Sequence, residues 1–574
     1  MFWPKTSLVS TIVRKQDLPI AVLLIFCFCL NLIGLEWGCS GCVPWLPDSI
    51  EYVPWRPGSA EYVPWQPDSI EGFGILSQMP ATFSTWTHKY PRGQFLINEI
   101  IYYPLIQHWK KNPVFFQMPD QKMVSAAITG PRLRTLAVIT HWINLLMAVG
   151  TVLAIYLTAM ALFNDQLAAF LAGLALTLSH LFCFFAGTGN VDMPSVFWFC
   201  WAVWAAIRAV QTNQLRHFLI LGFCAAYSVG TKEGQGTYFV GLGVGMAILH
   251  IQQARKQGKS FRQSVLSLFS FRLLAAAAMA LVVFLFLNGF FWNGADEFMA
   301  RVGHWKGVIE KEFLAPAFGG QWNLLKQSYR WLYWGLGWPM LVAVLVAVIY
   351  LSRRRPVELL FLTAPLIAFY VLTVMRIHFV AERFLLGGIV GLAIAAGKLF
   401  SDGIQWKSKA RYAVLFAAGF VYLLSAMYCL GLRLELRSDT RQRAEEWFYA
   451  NVSRDKTIGA VMPRNYTPRM QYAGYRQYND WVSTGIKTSQ GITQVWPEYL
   501  VLSNMWPCIG APGDAAFRGE VFTGKTDYEQ VAVFHPLYLK PSRCILGFAG
   551  WPYDKHAFLS PSIYIYQKKI SASN

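Results

Sequence analysis

Carboxylates recur three residues apart in a ten-residue unit that the chain repeats three times, as VPWLPDSIEY (43–52), VPWRPGSAEY (53–62) and VPWQPDSIEG (63–72). A carboxylate held at a membrane surface beside a hydroxyl-bearing substrate can take that hydroxyl's proton, a general-base contribution of roughly 10²–10⁴ in rate. The copies are not equivalent. Asp68 follows Pro67 and precedes SIEGFGILSQM, so it can cap a helix whose third residue, Glu71, reaches back toward the cap. Asp48 and Glu51 have the same spacing in the first copy, but Pro54 arrives within a turn and stops a helix. The middle copy carries Gly58 in place of the Asp. Asp68 is therefore the expected base and Asp48 its reserve, with the extra copies a tolerated duplication in an exposed loop. A purely structural cap at Asp68 is the competing reading of the same residues.

Further ionisable residues fall at the ends of apolar stretches. THKYPRGQFLINEIIYYPLIQHW is aromatic-rich and amphipathic, suited to lying in the membrane interface, and opens with His88, Lys89 and Arg92. GTGNVDMPSVFW places Asp192 at the mouth of an apolar segment, and GTKEGQG sets Lys232 and Glu233 between two short ones. RIHFVAER supplies Arg376, His378, Glu382 and Arg383. Each alone is accounted for by a snorkelling cation or a helix-end cap. Ionisable groups at membrane depth are costly, however, and their gathering on one side argues for a charged cavity there.

The elements that must position these residues are mainly α-helical. The 574-residue chain is 55% hydrophobic, 16% aromatic and only 14% charged, beyond what a soluble chain of this length carries. About eleven segments approach the roughly 20 apolar residues that a crossing requires: 18–37, 133–156, 167–186, 194–211, 217–230, 236–252, 273–292, 331–351, 357–375, 384–400 and 411–432. With the N-terminus inside, the inner loops hold Lys5, Arg14 and Lys15; Arg208 and Arg216; Arg255, Lys256, Lys259, Arg262 and Arg272; Arg353 to Arg355; and Lys407, Lys409 and Arg411. Only the short turn at Asn164 and Asp165 departs from this basic bias. The net charge of +19 is thus largely a topology signal, and a nucleic-acid partner is not called for. The repeat loop, the turn at 187–193, the loop at 293–330 and everything after about 433 are expected outside. The first span reads as a retained anchor, since no small-residue cleavage site precedes the loop.

Two domains are expected: 1–432, a transmembrane bundle whose external loop and interfacial helices reach to about residue 130, and 433–574, a small extracytoplasmic α/β domain. In the latter, SDTRQRAEEWFYANV reads as a helix, and KTIGAVM, EYLVLSN, YEQVAVFH and SIYIYQK read as strands. It has no Gly-rich phosphate loop, no HExxH and no GxSxG, so no chemistry of its own is assigned to it. Cys508 and Cys544 would face the oxidising side as a plausible bridge, and Cys39 with Cys42 forms a lone CxxC best read as a local disulfide or two idle thiols.

The order of these features resembles the GT-C glycosyltransferases, with family 39 (protein O-mannosyltransferase-like) and bacterial aminoarabinose transferases as the nearest types. The features are the acidic residues after the first span, the His/Lys-Tyr-Pro opening of an interfacial helix, NVDMPSVFWFCW, GTKEG, a late RFLL preceded by basic residues, and a DTR...AEEW helix leading an external domain. The resemblance implies that Asp68 is the catalytic base, that Asp192 is the second acidic residue, and that the Lys and Arg positions hold a donor phosphate. The commoner adjacent Asp-Glu pair is replaced here by Asp68-Ser69-Ile70-Glu71.

A transferase facing outward, away from cytosolic nucleotide sugars, needs a donor carried in the bilayer, and a polyprenyl-phosphate sugar meets that need. Lys89, Arg92, Lys232, Arg376 or Arg383 would stabilise the departing phosphate, with His88 and His378 beside them. A single displacement by an acceptor hydroxyl on a lipid, glycan or protein would invert the anomeric carbon. A divalent ion assisting through Asp68 and Asp192 is compatible with this reading, but no ligand cluster compels a metal or other cofactor. The expected place is the plasma (inner) membrane. The alternatives are a transporter or flippase of a lipid-linked or anionic solute, which would claim the short segments around Thr231 to Gly236, and a noncatalytic scaffold, which leaves the intramembrane charges unexplained.

Overall fold

The computed structural model describes residues 18–37, 91–117, 123–126, 130–291, 294–296, 298–300, 303, 320–378, 380–460, 468, 470, 476–478, 481–482, 485–488, 491–493, 496–503, 520–537 and 561–569. Asp48, Asp68, Glu71, His88 and Lys89 lie outside these residues, as do Cys39, Cys42, Cys508 and Cys544.

The chain is mainly helical. Helix α1 (Leu18–Leu32) precedes the repeat loop, and α2 (Gly93–Lys111) follows it. A hairpin of β1 (Val114–Gln117) and β2 (Met123–Ala126) leads into α3 (Gly130–Phe163). The bundle continues with α4 (Gln166–Thr177), α5 (His180–Ala186), α6 (Asp192–Thr212), α7 (Leu215–Val229) and α8 (Gly236–Lys256). It is completed by α9 (Phe261–Leu266), α10 (Phe271–Leu287), α11 (Gln321–Arg354), α12 (Pro356–Phe369), α13 (Leu386–Ile404) and α14 (Ala410–Arg437). Every apolar segment expected from the sequence overlaps a helix.

Seven helical stretches among the described residues are long and apolar enough to cross a membrane. α4 and α5 make an eighth if counted as one span, bent by 69° between them, while α1 and α7 are apolar but shorter. The close approaches in the bundle run through small residues. α13 lies against α4, where a Cβ on Gly397 would stand 2.4 Å from the backbone nitrogen of Ala172, so any larger residue would push the two helices apart.

The break between α4 and α5 sets the position of everything that follows. Leu178 and Ser179 leave helical geometry, and Ser179 Oγ donates to the Gly335 carbonyl at 2.9 Å. Gly335 lies four residues before Pro339 in α11, and a proline has no N–H to offer that carbonyl. Gly337 completes the kink in α11 with φ +71. All seven residues of α5 are buried, and it delivers the chain to the turn that opens α6. A second irregularity, a π-helical turn at Tyr370–Val374, precedes the helical turn Met375–Ile377, whose C-cap His378 is left-handed (φ 54).

Beyond α14, helix α15 (Thr440–Asn451) packs on a five-stranded sheet of order β4 (Arg476–Tyr478), β3 (Thr457–Ala460), β8 (Tyr499–Ser503), β10 (Ile563–Lys568), β9 (Tyr528–Phe534). β3 runs parallel to β4 and to β8, whereas β10 is antiparallel to β8 and to β9. Phe448, Ile458, Val501, Ile563 and Ile565 form the core of this region, separate from the core of the bundle. The four strands and the helix read from the sequence are present. β4 was not anticipated, nor was the small antiparallel sheet of β5 (Trp481–Val482), β6 (Gly485–Thr488) and β7 (Gly491–Thr493).

Candidate functional site

Asp192 is the first residue of α6, where the helix's free N–H groups favour negative charge, and it is 1% exposed. Its Oδ1 receives Lys232 Nζ in a buried ion pair. Lys232 reaches it from the turn between α7 and α8. That turn is fixed by backbone bonds from Lys232 N to the Ser228 carbonyl (3.0 Å) and from Gln235 N to the Lys232 carbonyl (3.1 Å). Ser228 Oγ in turn donates to the Ser195 carbonyl at 2.8 Å, which locks α7 against the first turn of α6. The Lys232 backbone is therefore fixed relative to the first turn of α6, where Asp192 sits.

Four further basic residues can be placed relative to this pair. Arg92, 3% exposed, caps α2, and the next residue joins it to the Lys232 turn: Gly93 N donates to the Gly230 carbonyl at 2.8 Å. A Cβ on Gly93 would stand 2.6 Å from that carbonyl oxygen and 2.7 Å from Thr231 Oγ1, so only glycine permits the contact. The Arg92 guanidinium packs beside Gly289 at the end of α10. Arg383 is half-buried in the 3₁₀ turn Glu382–Leu385. Its neighbour Phe384 presents its ring to Lys232 Nζ at 5.5 Å, and the Phe384 carbonyl accepts from Tyr238 OH at 2.7 Å. Arg376 and His378 belong to the adjoining turn but are exposed. The structure thus pairs Asp192 with Lys232, sets Arg92 and Arg383 on segments whose next residues meet the Lys232 turn, and leaves Arg376 and His378 exposed.

Several neutral residues at the same place were missed in the sequence. Asn144 is fully buried in α3, and its amide nitrogen donates to the Thr188 carbonyl (2.5 Å) and the Asn190 carbonyl (2.7 Å), spanning the turn before Asp192. Asn144 Oδ1, Asn190 Oδ1 and Nδ2, Asp192 Oδ2, Thr231 Oγ1 and Gln235 Oε1 are buried without a hydrogen-bond partner among the described residues. Leaving such a group unsatisfied costs about 1–3 kcal/mol, so a run of them at one place marks a site and not a packed core.

Glu99 on α2 was also missed. It is 8% exposed, neither carboxylate oxygen has a partner among the described residues, and burial pushes its carboxyl up to about 7 against a smaller opposing pull from Lys110. Among the described residues, no group of three or more His, Cys, Asp or Glu could hold a metal ion.

The comparisons with known proteins bear on this same stretch. A family model described as dolichyl-phosphate-mannose-protein mannosyltransferase matches residues 134–286, which contain Asn144, Asn190, Asp192, Thr231 and Lys232. The GT-C resemblance read from the order of residues is thus matched by a family model over the segment that holds the ion pair.

Among solved structures, ArnT from Cupriavidus metallidurans bound to undecaprenyl phosphate is 10% identical, with 97% of this chain and 98% of that one covered and a TM-score of 0.42. The Archaeoglobus fulgidus oligosaccharyltransferase AglB, in complex with an inhibitory peptide and a dolichol-phosphate, is 11% identical over 90% of this chain and 73% of that one, with a TM-score of 0.40. The mycobacterial arabinofuranosyltransferase AftD is 12% identical over 97% of this chain and 40% of that one, with a TM-score of 0.41. No curated protein matches the chain by sequence.

Proposed function

We propose that the protein is a membrane glycosyltransferase that moves a sugar from a polyprenyl-phosphate donor to an acceptor hydroxyl on the extracytoplasmic face. The observation that carries the reading is the buried Asp192–Lys232 pair, with Arg92 and Arg383 on the turns packed beside it. A phosphate leaving group gathers charge as the glycosidic bond breaks, and cations fixed in a site of low dielectric stabilise that charge without reorganising. Lys232, Arg92 and Arg383 take this role, with Lys89, Arg376, His88 and His378 as further groups for the donor. Asp68, supported by Glu71, accepts the proton of the attacking hydroxyl. Asp192 holds Lys232 charged and oriented, and one displacement inverts the anomeric centre. Asp48 stands in reserve, and the acceptor is a lipid, a glycan or a protein.

In this reading the seven long spans, the bent pair α4–α5, and α1, α7 and α8 give eleven crossings. The N-terminus is cytoplasmic and the region from 433 onward extracytoplasmic, in the plasma membrane. A transporter is the second reading, favoured by the bent pair and the π turn, since broken helices at a charged site also serve alternating access.

The deciding experiment is turnover by the purified full chain with undecaprenyl-phosphate monosaccharides. Asp68→Asn is expected to lower transfer by at least about 10² while donor binding persists, a loss of the size that general-base catalysis supplies, and Asp48→Asn to change it little. Full transfer in Asp68→Asn with loss in Asp48→Asn would move the base to the first copy. Donor movement across vesicles without any transfer would favour the transporter.

A further inference from the structure

The unpartnered polar atoms on α3, on the turn that opens α6 and on the α7–α8 turn have a chemical bias. Four are acceptors only: Asn144 Oδ1, Asn190 Oδ1, Asp192 Oδ2 and Gln235 Oε1. Thr231 Oγ1 can act either way, and Asn190 Nδ2 is the one dedicated donor in this group. The sense of the Asn144 amide is fixed, because its nitrogen already donates to two carbonyls and a flipped amide would set oxygen against oxygen. All five residues are at most 3% exposed.

A phosphate offers acceptors and negative charge. It would be repelled by this wall, and by the Asp192 carboxylate in particular. A ring carrying several hydroxyls offers the donors that the wall lacks, and each hydroxyl can also accept from Asn190 Nδ2. Of the cations, Arg92 before α2 and Arg383 in the 3₁₀ turn before α13 lie on segments apart from these residues, whereas Lys232 shares the α7–α8 turn with Thr231 and Gln235 and neutralises Asp192.

We infer that Asn144, Asn190, Asp192, Thr231 and Gln235 form a hydroxyl-recognition wall that binds the sugar ring of the donor and sets which sugar is accepted. The inference rests on the glycosyltransferase reading and adds to it a division of labour, in which cations hold the phosphate, and the neutral acceptors together with the Lys232-paired Asp192 carboxylate read the sugar. Asn190 and Thr231 are its best probes. Neither side chain makes a protein hydrogen bond among the described residues, so replacing it removes no structural contact of that kind.

The test uses the purified full chain in lipid nanodiscs and compares sugar-free undecaprenyl phosphate with undecaprenyl-phosphate esters of a neutral hexose, a neutral pentose and an aminopentose. The wild-type protein should bind one ester more tightly than the sugar-free lipid. Asn190→Ala and, separately, the near-isosteric Thr231→Val should each weaken that ester by about tenfold, the loss expected for unpairing a hydroxyl from a buried partner. Sugar-free lipid should stay within about twofold on the same ground, since it makes no contact with the wall.

Equal weakening of both ligands would overturn the inference by assigning the residues to the phosphate. Unchanged ester binding in both variants would overturn it by leaving the wall to ordered water. If the wild-type protein binds neither the lipid phosphate nor any ester, the glycosyltransferase reading itself fails, an outcome separate from the other two. Should Asn190→Ala unfold, Thr231→Val alone decides.

Discussion

Asp192 and Lys232 are worth little to the fold as a pair and much as partners. Two charges withdrawn from water recover most of their solvation cost from each other, but removing one leaves the other buried and uncompensated. Lys232→Met is therefore expected to destabilise the protein by about 3–5 kcal/mol, whereas Lys232→Met with Asp192→Asn should regain most of that stability and still transfer no sugar. Thermal unfolding in nanodiscs beside a turnover assay checks both halves, and an equally unstable double variant would contradict the pairing argument.

Glu99 gives a pH signature of its own. Its carboxyl is raised in the folded chain to about 7, so between its unfolded value and about 7 the folded state holds the proton more firmly. Its contribution to stability is thus largest in acid and is lost as pH rises through that window. Glu99→Gln should flatten the stability profile there and leave the variant more stable than wild type above it, as read from melting temperature against pH.

The ionisable candidates Asp192, Lys232, Arg92 and Arg383 were legible because charges at span ends stand out. The neutral half was not, because Thr151, Thr158 and Thr177, equally buried in apolar helices, merely donate to carbonyls four residues back, and nothing in residue type separates them from Thr231.

The broken helix α4–α5 was hidden from the sequence for a different reason. The segment 167–186 reads as one apolar span, with neither proline nor a pair of glycines near Ser179. At the break, Ser179 donates to the Gly335 carbonyl some 150 residues away, which Pro339 deprives of its helical partner, a contact that no local pattern announces. Breaking the helix also turns α5 toward the start of α6, and so places Asp192. Ser179→Ala should leave a buried carbonyl unsatisfied at a cost of about 1–3 kcal/mol. Because the bend carries the turn before Asp192, it should also lower turnover, whereas Ser179→Thr, which keeps the hydroxyl, should restore both. Loss of turnover without loss of stability would mean that the serine acts on the site by another route. The π turn at Tyr370–Val374 was equally unannounced, though the charged RIHFVAER stretch that follows it marked the place.

The bundle and the region beyond it meet at a junction built from residues far apart in the chain. Trp37, at the end of the first apolar segment, donates from Nε1 to Asp439 Oδ2 at 2.9 Å. Asp439 caps α15 through Arg441 N and takes the Arg441 guanidinium in two further bonds, at 2.8 and 2.5 Å, with both side chains fully enclosed. Arg441 also lies over the Trp37 ring at 5.8 Å, and Trp37 meets Phe184 of α5 edge-on at 5.9 Å. One indole therefore links the start of the repeat loop, the bent helix and the cap of the sheet-bearing region.

The strands and helix of that region could be read locally, as runs of Val, Ile and Tyr behind an Asp cap. The junction could not, since pattern says nothing of which distant residues meet. Trp37→Phe keeps the ring and removes the single hydrogen bond to a charged acceptor, worth about 1.5–3 kcal/mol. The Asp439–Arg441 pair and the Phe448 core stay whole in that variant, so the sheet should remain folded while the first turn of α15 loosens. Amide exchange at residues 440–443 should quicken by about tenfold or more, consistent with a loss of that size, and exchange within β8 and β10 should be unchanged. Faster exchange throughout the sheet would instead make Trp37 part of that region's own core, and no change anywhere would remove the indole from the joint.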